Sequence, residues 1–202
     1  MVYLKKSETA VVVLHEIYGI NQHIINICLD LSKEQVDVFA PNMLQSETMF
    51  NYDQENLAYD NFFNYVGFDR AFNQINTLLF NLRKRYNRIF VVGFSVGATI
   101  AWLCSKEQNL CNAVIGFYGS RIRDYLEVNP SCPVLLFFPT QEVSFNVSNL
   151  VGLINTKDMV FAKQLNGQHG FANPSSPNYN KQSSYQAYQD MILFMNRQGG
   201  QA

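Results

Sequence analysis

No block of lysine and arginine occurs anywhere in the chain, and 15 basic residues against 16 acidic ones leave a net charge of -1. Nothing in that balance calls for nucleic acid or an anionic membrane as a partner. No apolar run reaches the length of a membrane span. The first residues, Met1-Val-Tyr-Leu-Lys-Lys-Ser-Glu8, have no apolar segment behind their lysines long enough for a signal peptide. The expected location is therefore the cytoplasm. Cysteine is sparse. Cys28, Cys104, Cys111 and Cys132 form no C-x-x-C pair and show no zinc-ligand spacing, so they read as reduced, mostly buried thiols, and no metal is expected. There is also no repeat and no linker between two cores, and low complexity is confined to a Pro/Ser/Asn-rich segment at 173–180. With 202 residues, 48% of them hydrophobic and 15% charged, the chain is expected to fold as a single domain, 1–202, with a substantial core.

What the chain does have is a strand that runs into a glycine-flanked serine. Ile89-Phe-Val-Val92 is apolar and largely β-branched, as a buried strand should be. Gly93-Phe-Ser-Val-Gly97 follows, and residues 96–104 read as an apolar helix with small residues at its start. Strand, G-x-S-x-G and helix together form a nucleophile elbow. On so sharp a turn, side chains two residues either side of the serine collide with backbone, which accounts for the glycines. The turn lifts Ser95 Oγ clear of the sheet and aims the first helix amides, Val96 N–H among them, at a developing oxyanion.

Around this stretch, strands alternate with helices. Thr9-Ala-Val-Val-Val-Leu14 reads as a central parallel strand, and Asn21 as the cap of a helix reaching to about residue 34. Further strands are expected at 36–40, 113–118, 134–138 and 159–165, with helices at 68–86, 146–154 and 182–197. Residues 49–68 are polar and aromatic and belong to neither class, but carry enough ring surface to line a pocket. The pattern implies a mostly parallel sheet covered on both faces. Ligands of such sheets sit at the carboxyl ends of the strands. The loops there carry Glu16, Ser95, Glu142 and His169.

A serine hydroxyl needs an adjacent base to act as a nucleophile at neutral pH. The candidates are His15, His23 and His169, and His169 lies in a Gly-flanked loop after the last strand, which fits the chain order Ser, acid, His. Glu142, four residues beyond the apolar run ending at Phe138, is the expected acid. Asp158 competes, but stands at the start of the last strand, the wrong end of the sheet.

Leu14-His-Glu-Ile-Tyr-Gly19, Phe39-Ala-Pro41, Gly93-Phe-Ser-Val-Gly97, Phe117-Tyr-Gly119 and His169-Gly-Phe171 occur in the order and approximate spacing of the dienelactone hydrolase family. The resemblance runs from about residue 9 to 197 and is weakest over 43–70. It implies a three-layer α/β-hydrolase fold with the N-terminal hairpin reduced or absent. It also implies Ser95 as nucleophile, His169 as base and Glu142 as acid, with the amides of Ile17 and Val96 as oxyanion hole. Glu16 matches a family glutamate that contacts the resting nucleophile. Tyr18, Tyr118, Phe171 and Asn173 become pocket residues, joined by Phe62 and Phe63 from the aromatic stretch. This sequence departs from the family at three places. Serine replaces the usual cysteine, glutamate stands for aspartate, and Asn173 occupies the position of an arginine that grips the substrate carboxylate. The last change argues against dienelactone itself. The expected activity is cleavage of a small ester, lactone or thioester without metal or organic cofactor. The alternatives are a non-catalytic binding protein of the same fold and a peptidase for short peptides. The expected partner is a small ester-type molecule, and no oligomeric state is implied.

Overall fold

The computed structural model describes residues 1–44 and 49–199. Residues 45–48, part of the stretch where the resemblance is weakest, and 200–202 lie outside the described residues. The described residues form seven strands, β1 (Val2–Tyr3), β2 (Thr9–Leu14), β3 (Asp37–Phe39), β4 (Arg88–Phe94), β5 (Ala113–Phe117), β6 (Val134–Pro139) and β7 (Val160–Leu165). They form one sheet in the order β1-β3-β2-β4-β5-β6-β7. All pairings are parallel except that of β1, which runs antiparallel along β3. The expected six parallel strands are thus present. The N-terminus contributes one short edge strand in place of a hairpin.

The helices are α1 (Gln22–Leu31), α2 (Glu55–Asn61), α3 (Gly67–Arg83), α4 (Val96–Cys104), α5 (Val147–Ile154) and α6 (Lys181–Gln198). Strand alternation sends neighbouring side chains to opposite faces, so β2 feeds two separate cores. Ala10, Val12 and Leu14 share one with α3, α4 and α5, while Val11 and Val13 share the other with α1 and α6. This is why β2 reads as an unbroken apolar run: all six of its residues are buried.

Local capping follows the sequence closely. The Asn21 side chain accepts a hydrogen bond from Ile24 N at 3.2 Å, and Asn146 and Asn180 cap α5 and α6 in the same way. Residues 49–68 are more regular than their composition suggests. A 3₁₀ turn (Tyr52–Gln54), α2 and a π-helical turn (Phe62–Val66) lead directly into α3. The four cysteines are free and buried, as expected.

After β2 the chain moves to β3 on one side, then returns to lay β4 on the other. The crevice between the carboxyl ends of β2 and β4 is therefore the topological switch point, where such sheets bind ligands. Leu14 and Gly93 face each other across it.

Candidate active site

The elbow begins where β4 ends. Ser95 holds φ 54° and ψ -115°, a backbone conformation that costs on the order of 1–3 kcal/mol for a non-glycine residue. Its amide donates to Phe117 O at 3.0 Å, fixing the turn to β5. The flanking glycines are sterically required. A Cβ on Gly93 would overlap the Gly97 carbonyl, and one on Gly97 would overlap the carbonyl of Leu14. The small residues let α4 approach β2 and β4 closely enough for its first amides to face the crevice. Val96 is the first residue of α4, so its N–H has no intrahelical acceptor.

Ser95 Oγ lies 2.9 Å from His169 Nε2, and His169 Nδ1 lies 2.7 Å from Glu142 Oε1. A carboxylate has no proton to give, so Nδ1–H donates to Glu142 and Nε2 accepts from the serine hydroxyl. Glu142 is largely sheltered, its side chain 8% exposed, whereas that of His169 is 37% exposed and open to the crevice. Asn178 Nδ2 donates to the His169 carbonyl at 2.9 Å and pins the loop. Asp158 is exposed and stands two residues before β7, at the opposite end of that strand from His169.

The other two histidines are held away from this chemistry. His15 is fully buried: its Nδ1 donates to the Glu16 carbonyl at 2.6 Å, and its Nε2 accepts from Met43 N at 2.9 Å. Burial pulls its pKa down to about 4, so it stays a neutral brace for the loop after β2. His23 is buried edge-on against Phe94 and is likewise pulled down to about 4 by burial.

A cleft of about 480 Å³ opens in front of Ser95 and His169. Ile17, Tyr18 and Asn173 line it, as does Glu16, which is buried. Glu16 differs from its expected role. Its two oxygens accept from Tyr118 Oη at 3.0 Å and Asn173 Nδ2 at 3.1 Å, while Ser95 turns to His169 instead. Asn173 also donates to Tyr52 Oη at 2.6 Å, and Asn21 donates to the same oxygen at 2.9 Å. Burial drives the Glu16 pKa upward, and the charge of His169 and the donors Tyr118 and Asn173 oppose it. Asn173, itself buried, thus lines the cleft as a neutral amide bonded to both Glu16 and Tyr52.

The remaining expected pocket residues sit elsewhere. Tyr118 and Phe171 are fully buried beneath the cleft, their rings 5.5 Å apart and edge to face. Neither Phe62 nor Phe63 lines the cleft. Phe62 is fully buried in the core with Phe68, and Phe63 packs between Tyr59 and the Arg121 guanidinium. The reason is helical spacing: once 55–83 is nearly continuous helix, Phe62 falls on the sheet-facing side. The aromatic stretch reaches the cleft through its first turn instead, with Tyr52, Asp53 and Glu55. Ser176, Pro177 and Asn178 complete the wall from the 173–180 loop. Tyr52 belongs to the stretch expected to line a pocket, whereas Asp53, Glu55 and the three loop residues lie outside any catalytic motif, and the one available signal for them is the proximity in sequence of Asn178 to His169.

The dienelactone hydrolase family model matches residues 1–199. The uncharacterized protein YczH of Bacillus subtilis is 39% identical over 173 residues, which cover 85% of this chain and 84% of that protein. Among solved structures, a provisionally named dienelactone hydrolase of Klebsiella pneumoniae matches with a TM-score of 0.77 at 17% identity, over 92% of this chain and 85% of its own. A dienelactone hydrolase-like promiscuous phosphotriesterase from metagenomic libraries matches with a TM-score of 0.74 at 13% identity, over 95% and 87%. At such identities the two structures share the α/β-hydrolase fold with this chain.

Proposed function

The chain belongs to the dienelactone hydrolase family, and from that membership we propose that it is a serine hydrolase cleaving a small carboxylic ester, lactone or thioester through an acyl-enzyme. The observation that carries this reading is the hydrogen-bonded run Ser95–His169–Glu142, with the serine on a strained elbow at the switch point of the sheet.

The chemistry follows from the hydrogen bonds. Ser95 Oγ attacks the substrate carbonyl while its proton passes to His169 Nε2. Nδ1–H remains on the ring, where the Glu142 carboxylate offsets the charge that the imidazolium gains. The carbonyl oxygen becomes an oxyanion, received by the N–H groups of Val96 and Ile17, usually the largest single catalytic contribution. Collapse of the tetrahedral species breaks the ester bond, and the leaving alcohol or thiol takes the proton from Nε2. Water, deprotonated by the same nitrogen, then attacks the acyl carbon. The acid departs and Ser95 Oγ regains its proton.

Asn173 Nδ2 donates to the buried Glu16 carboxylate, and no lysine or arginine is found among the described residues that line the cleft to receive a substrate carboxylate. This supports esters other than dienelactone. The test is a series of p-nitrophenyl esters of graded acyl length, with wild type and Ser95→Ala compared. Turnover of short esters by the wild type and its loss in the variant are expected. Equal turnover by both would overturn the proposal.

A further inference from the structure

The cleft has a charge character that the reaction itself does not require. Tyr18 and Tyr52 line it, both partly buried, their rings packed against each other with centroids 4.7 Å apart at 59°, so that the pair presents aromatic surface to the cleft. Asp53 and Glu55 line it too, both exposed, with Glu16 buried among them. Among the described residues that line the cleft, none is lysine or arginine. Arg121 and Arg123, on the 3₁₀ turn after β5, are paired with Asp124. The carboxylate field reaches the rings. The Tyr18 phenol is pushed above its ordinary range, first by burial and then by Glu55 and Glu16.

We propose that this cleft selects esters that carry an ammonium group, with the cation seated against Tyr18 and Tyr52 and offset by Asp53 and Glu55. The inference rests on the hydrolase reading above. An aromatic face attracts a cation through its quadrupole, and quaternary ammonium groups are bound in this way because they offer no hydrogen bond to satisfy. The two carboxylates add Coulomb attraction. They are exposed, so solvent screens them and each contributes little. Taken together, rings and carboxylates favour a cationic ester over its neutral isostere by about tenfold in kcat/KM. An anionic isostere meets the same carboxylates as repulsion and falls below the neutral one.

The experiment compares three thioacetates of similar shape. One is the thiocholine ester, one its uncharged 3,3-dimethylbutyl isostere, and one a carboxylate-bearing analogue. Hydrolysis of each consumes one water and releases acetate and a thiol, which is the readout. The expected order is cation over neutral over anion. The cation-to-neutral ratio should shrink at about 0.5 M salt, where the screening length falls to a few ångströms. In D53N/E55Q that ratio should drop several-fold. Asp60→Asn, which removes an exposed charge from α2 outside the cleft lining, should leave it unchanged. Equal use of the cationic and neutral esters, preference for the anion, or the same loss of ratio in Asp60→Asn overturns the inference and leaves the hydrolase reading standing. Turnover of none of the three, with no reaction of Ser95 toward a fluorophosphonate, overturns both.

Discussion

Replacing Glu142 by glutamine isolates a contact whose geometry sequence could not specify. The carboxylate stands 2.7 Å from His169 Nδ1, and the substitution keeps the volume while removing the charge. Two losses follow. If the glutamine amide turns its NH₂ toward the ring, Nδ1 must accept, the proton moves to Nε2, and Ser95 Oγ faces a donor where it needs a base. If the amide oxygen turns inward, the tautomer survives but the imidazolium formed in the transition state loses its counter-charge. Two unit charges about 4 Å apart at an effective dielectric constant of about 20 interact by about 4 kcal/mol. A change of tautomer at an equivalent position costs about 10⁴ in rate in a well-studied protease, about 5.5 kcal/mol. The His169 side chain is 37% exposed, so water screens part of the interaction. The expected loss in kcat is therefore nearer to 10³, about 4 kcal/mol. Stability should change by no more than about 1 kcal/mol, because a pair open to solvent on one side contributes little to folding. The assay is p-nitrophenyl acetate hydrolysis beside urea unfolding. Near wild-type kcat in Glu142→Gln, or an equal loss in Asp158→Asn, would refute the reasoning.

Phe62→Ala should cost about 3–5 kcal/mol of stability and leave the ester-length preference of the remaining folded enzyme unaltered, since the ring is fully buried in the core and outside the cleft; a changed preference at unchanged stability would contradict this. Gly97→Ala should abolish turnover and lower the Tm, because its Cβ would overlap the Leu14 carbonyl, and a variant with normal activity would show that the elbow tolerates a side chain. Acid should destabilise the fold through His15 and His23: both pKa values fall from 6.5 to about 4 on folding, so their contribution is intact above pH 6.5 and is lost as pH falls toward 4, on the order of 3 kcal/mol for each. Glu16, raised on folding, acts in the opposite direction, and His23→Leu should reduce the acid slope by about half; an acid slope unchanged in His23→Leu would contradict it.

The parts of this molecule legible in its sequence are those where local physics and tertiary role coincide. β2 announces itself because a strand buried on both faces has no polar positions to spare. The elbow is readable because its sharp turn leaves no room for a Cβ at 93 or at 97, so both glycines show in the sequence. His169 stands out by chain order together with its Gly-flanked loop after the last strand. The aromatic stretch was unreadable for the opposite reason. Its rings serve the core, the surface and the cleft in turn, and a π-helical turn shifts the helical phase at Phe62, so no single period runs through it. Glu16 shows a different limit. Its motif marks it as a cleft residue, but its partners Tyr118 and Asn173 lie 102 and 157 residues away, and no local pattern predicts such contacts.

The central claim, that Ser95 is an activated nucleophile, is tested most directly by fluorophosphonate labelling followed by peptide mass mapping. One adduct per chain is expected on the peptide containing Ser95, lost in Ser95→Ala and in His169→Ala while both variants remain folded. Absence of an adduct on the folded wild-type protein, or an adduct that persists in Ser95→Ala, would contradict it.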